Sequence, residues 1–541
     1  MFGVRSFVIA SIAMVSGIAA AQFDNPAPLA WRWQQSATVS PNGSPLVDGK
    51  TIYYNVGNRV YAIDAETGNT KWKFPNGAPS PGTFRRSPIL VNGLIVVYND
   101  QKEVYGVDPS SGELKWVYQA PFPISSQITA VGTSIAFAMD GGNLMGVDTK
   151  TGNALYENAY RILDGIRGPV YSDGRDVVAF FDNRSTLQAV SLSTKKVAWR
   201  QSFGAIPPDG SMTAADGYFY VYTGTYMACL SAFSGSVRWQ APVKERMMFS
   251  PEVGGGMVLC VSQTGNAYFY DSNGALKTKT PIAIGSQPSV RPTFVGKKFL
   301  VPTANGSIQL VDPSGTIDWQ YYVRPMNDAA RQPATGNAGS GPGGPLGFGG
   351  GGAGGGGSTS KEPVVVVQVS APVAISGSTL LVPAADASLL AFDATNGVDL
   401  IGPEVKQIWP GPGELVSGKS GQEFIFKIED ISSGVNISTV KLDIDGTAYN
   451  YDLGRDGYLV CQISQSKKNN MLSDGRHVLH IVAKDWMGNE TNLSVTLRVD
   501  NTLAPLKRPG TDTKPNGAGG PGGGPSGGPG FGGGGGGFGG G

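Results

Sequence analysis

Few residues in this chain could carry chemistry by type and spacing. Cysteine occurs three times (Cys229, Cys260, Cys461) and histidine twice (His477, His480). No two cysteines adjoin and no CxxC occurs, so one disulfide at most can form. That set is too poor for a zinc centre or a His-based triad. The two histidines stand three apart in HVLHIVAKD. On a strand they point to opposite faces, so they cannot share one metal, and packing or surface roles are expected. Arginine and aspartate remain. Arg86 stands two residues before Pro88 and Arg167 two before Pro169, which assigns them one repeat slot. Arg85 and Arg291 fall near the same rim, with Gln127 and Asp209 as further members. Arginines pointing inward from such a rim would grip an anionic group. A second set, Asp430, Asp443, Asp445 and Asp485, would suit calcium if gathered at one end of a β-sandwich. No residue is assigned a catalytic role. Gly524–Gly528 matches the hydrolase pattern G-x-S-x-G, but no strand precedes it and no helix follows.

The elements that must position these residues are read from an internal repeat. Asp64, Gly68 and Trp72 are spaced four and four, and Asp108, Gly112 and Trp116 repeat the spacing. Asp148, Gly152 and Tyr156 follow, then Ser191, Lys195 and Trp199, then Ser231, Gly235 and Trp239. A shortened copy has Asp271, Gly274 and Thr278; Asp312, Gly315 and Trp319 form the seventh, and Asp393, Gly397 and Ile401 the eighth. A period near 40 suits a four-stranded propeller blade or a two-helix repeat. Short β-rich runs such as LIVVYN, SIAFAM, VVAFFD and MVLCVS, each behind a turn, decide for strands. Asp starts a turn by accepting backbone N–H groups, Gly closes it at positive φ, and Trp packs between blades. Trp33 lies one period before Trp72, and the eighth slot has no Trp. The N-terminal strand carrying Trp33 is therefore expected to complete the last of eight blades, over about 29–403, leaving no open sheet edge between the chain ends.

The runs VYAIDAETGNTKWKF and VYGVDPSSGELKWVY resemble the repeats of pyrroloquinoline-quinone (PQQ) propellers, the eight-bladed fold of quinoprotein alcohol dehydrogenases. The propeller lipoprotein of the bacterial outer-membrane assembly machine is similar and carries no cofactor. In the dehydrogenase branch the resemblance implies a quinone in the central funnel, stacked on a Trp and on a disulfide between adjacent cysteines. A calcium ion is held there by Glu, Asn and Asp, and an Asp serves as base. This chain lacks the adjacent pair and any haem-attachment CxxCH, so no cofactor is expected. PQQ with calcium belongs only to the alternative reading, a periplasmic quinoprotein-like oxidoreductase with a divergent site.

The 541 residues carry 42 Lys+Arg against 41 Asp+Glu, so no global field recruits nucleic acid or acidic lipid. Arg5, an apolar run Phe7–Ile18 and Ala19-Ala20-Ala21 read as a signal peptide over 1–21, predicting export to periplasm, cell surface or medium with no transmembrane segment after cleavage. A Gly-rich insertion at about 327–362 contains 14 Gly in the 22 residues of Gly336–Gly357, and 18 Gly fall in the 25 residues of Gly517–Gly541. Neither stretch can pack a core, so the insertion and a 502–541 tail are expected to be disordered. Residues 404–501 hold about seven short strands with Asp-Gly turns, which predicts a β-sandwich. Its runs Asp430–Val435 and Asp485–Asn489 resemble bacterial immunoglobulin-like modules. The function expected is an exported, non-enzymatic binding or scaffold protein whose partners are envelope or extracellular proteins or polymers.

Overall fold

The computed structural model describes residues 23, 25–37, 39–172, 174–204, 212–325, 367–466 and 469–507. Among these there is no helix, and none long and apolar enough to cross a membrane. The signal-like segment, the Gly-rich insertion and most of the tail lie outside them.

Eight four-stranded antiparallel sheets build a β-propeller. Blade 1 runs from Leu46–Asp48 to Thr70–Phe74, blade 2 from Phe84–Val91 to Leu114–Gln119, and blade 3 from Thr129–Val131 to Tyr160–Arg161. Blade 4 runs from Arg167–Ser172 to Val197–Ser202, blade 5 from Met212–Ala215 to Val237–Pro242, and blade 6 from Glu252–Gly254 to Ile282–Ala283. Blade 7 runs from Thr293–Val295 to Ile317–Tyr322. Blade 8 takes Ala374–Ser376, Thr379–Pro383 and Ser388–Phe392 from one end of the propeller sequence and Leu29–Gln34 from the other.

The middle strands of a blade are covered on both faces, which is why they read as continuous apolar runs rather than as alternation. Ser134–Met139, for example, is buried at every position after the first. Each neighbouring pair of blades shares one apolar core, and the series includes blades 7 with 8 and 8 with 1. The ring is therefore closed by side chains as well as by the strand pairing of Leu29–Gln34. At ~1.5–3 kcal/mol for each large apolar side chain fully buried, these seams dominate the stabilising terms.

The repeat motif ties each blade to the next. Asp108 Oδ1 accepts the N–H groups of Ser110 and Ser111 at 2.9 and 3.1 Å, and Asp148 does the same with Lys150 and Thr151. The indole N–H of four slot Trp residues donates to the carbonyl that follows the next blade's turn-starting residue: Trp72 to Pro109, Trp116 to Thr149, Trp199 to Ala232, Trp239 to Ser272. The glycine of that turn lies flat on the same indole. A Cβ on Gly112 would meet Trp72 at 2.7 Å, and one on Gly235 would meet Trp199 at 2.4 Å, so these glycines supply close approach as well as positive φ. In blade 4 the glycine slot holds Lys195 at φ 58°, and its ammonium sits 4.1 Å above the Tyr156 ring.

Two slot assignments change. Trp31, not Trp33, precedes the first repeat: its indole donates to Ala65 O at 3.1 Å, and Gly68 lies on its ring. Trp33 points into the blade 8–blade 1 core and donates to Thr70 Oγ1. The register shift between Leu29 and Trp31 is the one that precedes the slot Trp in blades 1, 2, 4, 5 and 7, so it marks Trp31 as the slot residue. Ile401 fills no core slot and is 80% exposed, because Leu29–Gln34 already occupies the outer position of blade 8.

Residues from Glu404 to Val499 form two packed sheets. Glu404–Trp409, Glu423–Glu429, Tyr458–Gln462 and Asp452–Leu453 make one; Leu415–Val416, Glu490–Val499, Gly475–Asp485, Val435–Ile444 and Thr447–Ala448 make the other. Phe424, Phe426, Leu459, Leu479 and Ile481 are fully buried between them. This sandwich is bonded to blade 7 and the start of blade 8. Trp319 donates to Ser433 O, Tyr321 to Ile431 O, and Leu29 N–H to Ser432 O, all at 3.0–3.1 Å.

Candidate functional site at the propeller axis

The first strands of neighbouring blades touch one another around the ring, so they line the axis. Most of the arginines singled out in the sequence lie on or beside these strands. Phe84–Val91 and Arg167–Ser172 both carry a bulge in their pairing to the second strand. The ladders align Arg85, opposite Tyr98, with Arg167, opposite Phe181. Arg86 therefore corresponds to Gly168, and Arg86 and Arg167 do not share a slot. Backbone conformation agrees: Arg86 has φ 57° and Gly168 φ 75°. Counting back from the prolines misaligned the two strands by one residue because the bulges are placed relative to the ladder, not to Pro88 and Pro169.

A non-glycine residue in the left-handed region costs roughly 1–2 kcal/mol. Blade 1 holds Arg86 there. Asn42 Oδ1 accepts the Arg86 N–H at 2.8 Å, and Asn55, only 4% exposed, donates its Nδ2 to the Arg86 carbonyl at 2.9 Å. The clamp turns the Arg86 side chain toward two tyrosines. Tyr98 is buried and donates to Ser126 O at 2.9 Å. Burial pushes its hydroxyl up to about 12 against the opposing pull of the Arg86 guanidinium. Tyr171 of blade 4 is likewise pushed to about 12 by burial, and the charges of Arg291 and Arg86 both act on it in opposition. Residues of blade 2, blade 4 and the approach to blade 7 can meet in this way only near the axis of an eight-sheet ring.

The neighbouring charges differ in how they are compensated. Arg291 sits 3.6 Å from Glu252 of blade 6 and 3.4 Å from Thr213 Oγ1 of blade 5. Glu252 is 9% exposed, and burial raises its pKa. Arg85 pairs with Asp100 at 3.0 Å. Among the described residues neither Arg86 nor Arg167 has an ion-pair partner. Gln127 spends its amide on Ser87 O at 2.9 Å, a tie between blades 3 and 2. Asp209 lies outside the described residues. The axis thus offers Arg86 in a fixed backbone geometry and Arg167, neither with an ion-pair partner among the described residues, together with Arg291 shared with a buried glutamate, and two buried tyrosines. That combination is suited to a carboxylate or another oxyanion. Tyr98, Tyr171, Glu252 and the asparagine clamp were missed in the sequence; only strand register brings them to the arginines.

The aspartate set divides. Asp430 and Asp485 meet, together with Asp399, with one oxygen of each within 4.8 Å of the others at the junction of propeller and sandwich. Burial raises the Asp430 pKa, with Asp399 adding to it, although three backbone N–H groups of residues 432–434 bond its Oδ1. Asp443 and Asp445 do not join this group. They face His480 at 3.2 Å and His477 at 2.6 Å. Five ladder positions separate Asp485 from His480, or about 16 Å. Asp399 was not among the expected members, since its loop follows the last repeat and carries no turn signature.

The three thiols are buried and unpaired. Cys229 and Cys260 lie in one core between blades 5 and 6, and burial raises both pKa values; the Cys461 thiol, in the sandwich core, is pushed up to about 12 by burial. None of the three is poised as a thiolate nucleophile.

Known proteins bear on this geometry. The curated serine/threonine-protein kinase AfsK of Streptomyces griseus is 29% identical over 176 residues, which is 30% of this chain and 21% of that protein. The chain thus spans about a fifth of the length of that relative. Among solved structures, BamB from Moraxella catarrhalis aligns with 11% identity over 67% of this chain and 100% of its own, at a TM-score of 0.48. Sqt1 of Saccharomyces cerevisiae aligns with 10% identity over 68% and 99%, at 0.49, and a europium-containing methanol dehydrogenase with 14% over 55% and 80%, at 0.43. The family model described as outer membrane protein assembly factor BamB matches residues 29–166 and 183–338, more than half of the 541 residues, with blades 1, 2, 3, 5, 6 and 7 matched whole. With its ring of four-stranded blades tied by Asp, Gly and Trp, this chain belongs to that family.

Proposed function

We propose that the protein is a non-enzymatic binding or scaffold protein acting outside the cytoplasm, with its propeller as the interaction platform. A carboxylate of a protein partner seats at the axis between Arg86 and Arg291, and the sandwich, read as immunoglobulin-like, serves as spacer or second contact surface. The observation that carries this reading is Arg86: strained at φ 57°, clamped by two asparagines on the side of the preceding blade, and without an acidic partner among the described residues. A bulge slot that blade 4 fills with Gly168 is filled here by a strained arginine held with dedicated hydrogen bonds, which supports a role for the side chain itself. The description of the family as an outer-membrane assembly factor supports protein partners and an envelope location. The signal-like residues 1–21 support export.

The test is a binding titration of a labelled Glu-rich peptide, with its Gln counterpart as control. The acidic peptide should bind, more weakly at high salt, and Arg86→Ala should weaken it about tenfold or more, the usual worth of a charge-assisted contact. Equal binding of both peptides, or no change in Arg86→Ala, overturns the proposal. The redox alternative is tested on the same sample: a stoichiometric PQQ–calcium complex with alcohol-dependent dye reduction would establish an enzyme instead.

A further inference from the structure

The end of the sandwich remote from the propeller carries two adjacent arginines with no ion-pair partner among the described residues. Arg476 and Arg498 are direct partners in the ladder between Gly475–Asp485 and Glu490–Val499. Opposed residues in such a ladder have Cβ atoms ~4.5–5.5 Å apart, and like charges there repel. Nine residues of extended strand separate Arg476 from Asp485 at the junction, or about 30 Å. Both arginines are exposed and line a cleft of about 690 Å³ with Leu415, Thr496 and Val499. Arg476 donates only to Thr496 Oγ1, at 3.3 Å, and Arg498 makes no side-chain hydrogen bond or ion pair among the described residues.

The two acids that share the cleft are engaged in turns. Asp474 Oδ1 accepts the Asn501 N–H at 2.6 Å. Asp500 Oδ1 accepts the Thr502 hydroxyl at 2.5 Å and the Thr502 N–H at 2.8 Å, and these bonds hold its pKa below the usual carboxylate range. Both acids therefore spend an oxygen on neutral turn donors, and neither pairs with an arginine. Two arginines opposed on paired strands can bring their N–H donors to one point above the sheet. A tetrahedral oxyanion bridges such donors with two or three oxygens, which a halide cannot do.

We infer that this cleft is a phosphate site, with Arg476 and Arg498 as its two forks and the Thr496 hydroxyl beside them. It is independent of the axial site. The phosphate arrives free in solution or on a lipid headgroup, and the chemistry at the cleft is the same. Anion binding would relieve the repulsion between the two arginines, so occupied protein should also be more stable.

The test uses the full chain at low ionic strength. Inorganic phosphate and glycerol 3-phosphate are titrated by calorimetry, and phosphatidylglycerol vesicles are offered in a sedimentation assay. Binding should fall about tenfold or more in Arg476→Ala/Arg498→Ala, recover only in part in Arg476→Lys/Arg498→Lys, and persist in Arg86→Ala. Soluble phosphate binding without vesicle binding assigns the free anion; binding of both assigns the headgroup. The inference is overturned if wild-type protein binds no probe, or if the double alanine variant, folded by circular dichroism, binds as wild type does. Loss in Arg86→Ala alone would move the anion to the axis and overturn it equally.

Discussion

Arg86 concentrates the argument at the residue scale. Its left-handed backbone is tolerated because Asn42 and Asn55 bond both of its peptide groups. Replacement by glycine should remove the strain while keeping those bonds. Arg86→Gly is predicted to unfold at a higher temperature, by about 1 kcal/mol of added stability, and to lose affinity for acidic peptides. Thermal unfolding combined with the peptide titration checks both. A glycine variant less stable than wild type would mean that the side chain, not the backbone, is what the site pins. The sequence singled out the arginines, although Arg85 and Arg291 are engaged by Asp100 and Glu252. Their alignment was not legible there, because a bulge shifts strand register without leaving a signal in residue type, and proline proved a poor marker of the slot.

At the scale of the element, the turn that opens the outer strand is held by one carboxylate in blades 1, 2, 3, 6 and 7. In Asp108 the Ser110 hydroxyl and N–H, followed by the Ser111 N–H, hold the pKa well below its ordinary 3.8. A depressed carboxylate stabilises the fold above its unfolded pKa, and that contribution is lost as pH falls through the folded value. Asp108→Ala is therefore expected to cost about 1 kcal/mol near neutral pH, as loss of a comparable side-chain cap does, and less as pH drops below 3.8. Urea unfolding at neutral and acid pH measures the difference; a penalty that grows toward acid would contradict it. The same motif explains how much of the fold the sequence disclosed. Asp, Gly and Trp each do one local job, so their spacing reports the blade directly. Where Tyr156 and Thr278 replace the Trp, the outer strands shrink to Tyr160–Arg161 and Ile282–Ala283. The choice of Trp31 over Trp33 escaped the spacing, because the steps between slots vary enough to fit either residue.

Over the whole molecule, the propeller and sandwich act as one bonded body at blade 7. Trp319 is fully buried and is the slot indole that leaves the repeat pattern. Its ring packs against Phe392 of blade 8, but its N–H donates to Ser433 O of the sandwich and not to the turn of the next blade. Nothing in the local sequence of blade 7 distinguishes this Trp from the others, so the contact could be found only in three dimensions. Trp319→Phe keeps the ring but leaves that carbonyl without its donor, at a cost of about 1–3 kcal/mol. Hydrogen exchange should then quicken in Ile431–Gly434 while the cores of blades 2 to 5 keep their protection. Uniform loss of protection throughout would contradict a junction of this kind.

The central claim is that the axis of the propeller is built to receive an anionic group. A crystal structure of the protein soaked with a small tricarboxylate such as citrate tests it most directly. The account predicts a carboxylate in hydrogen-bond contact with the guanidinium groups of Arg86 and Arg291, with the Arg86 backbone still at positive φ. Citrate bound elsewhere with the axis filled only by water, or Arg86 turned away from Tyr171 and paired with an acid, would contradict it.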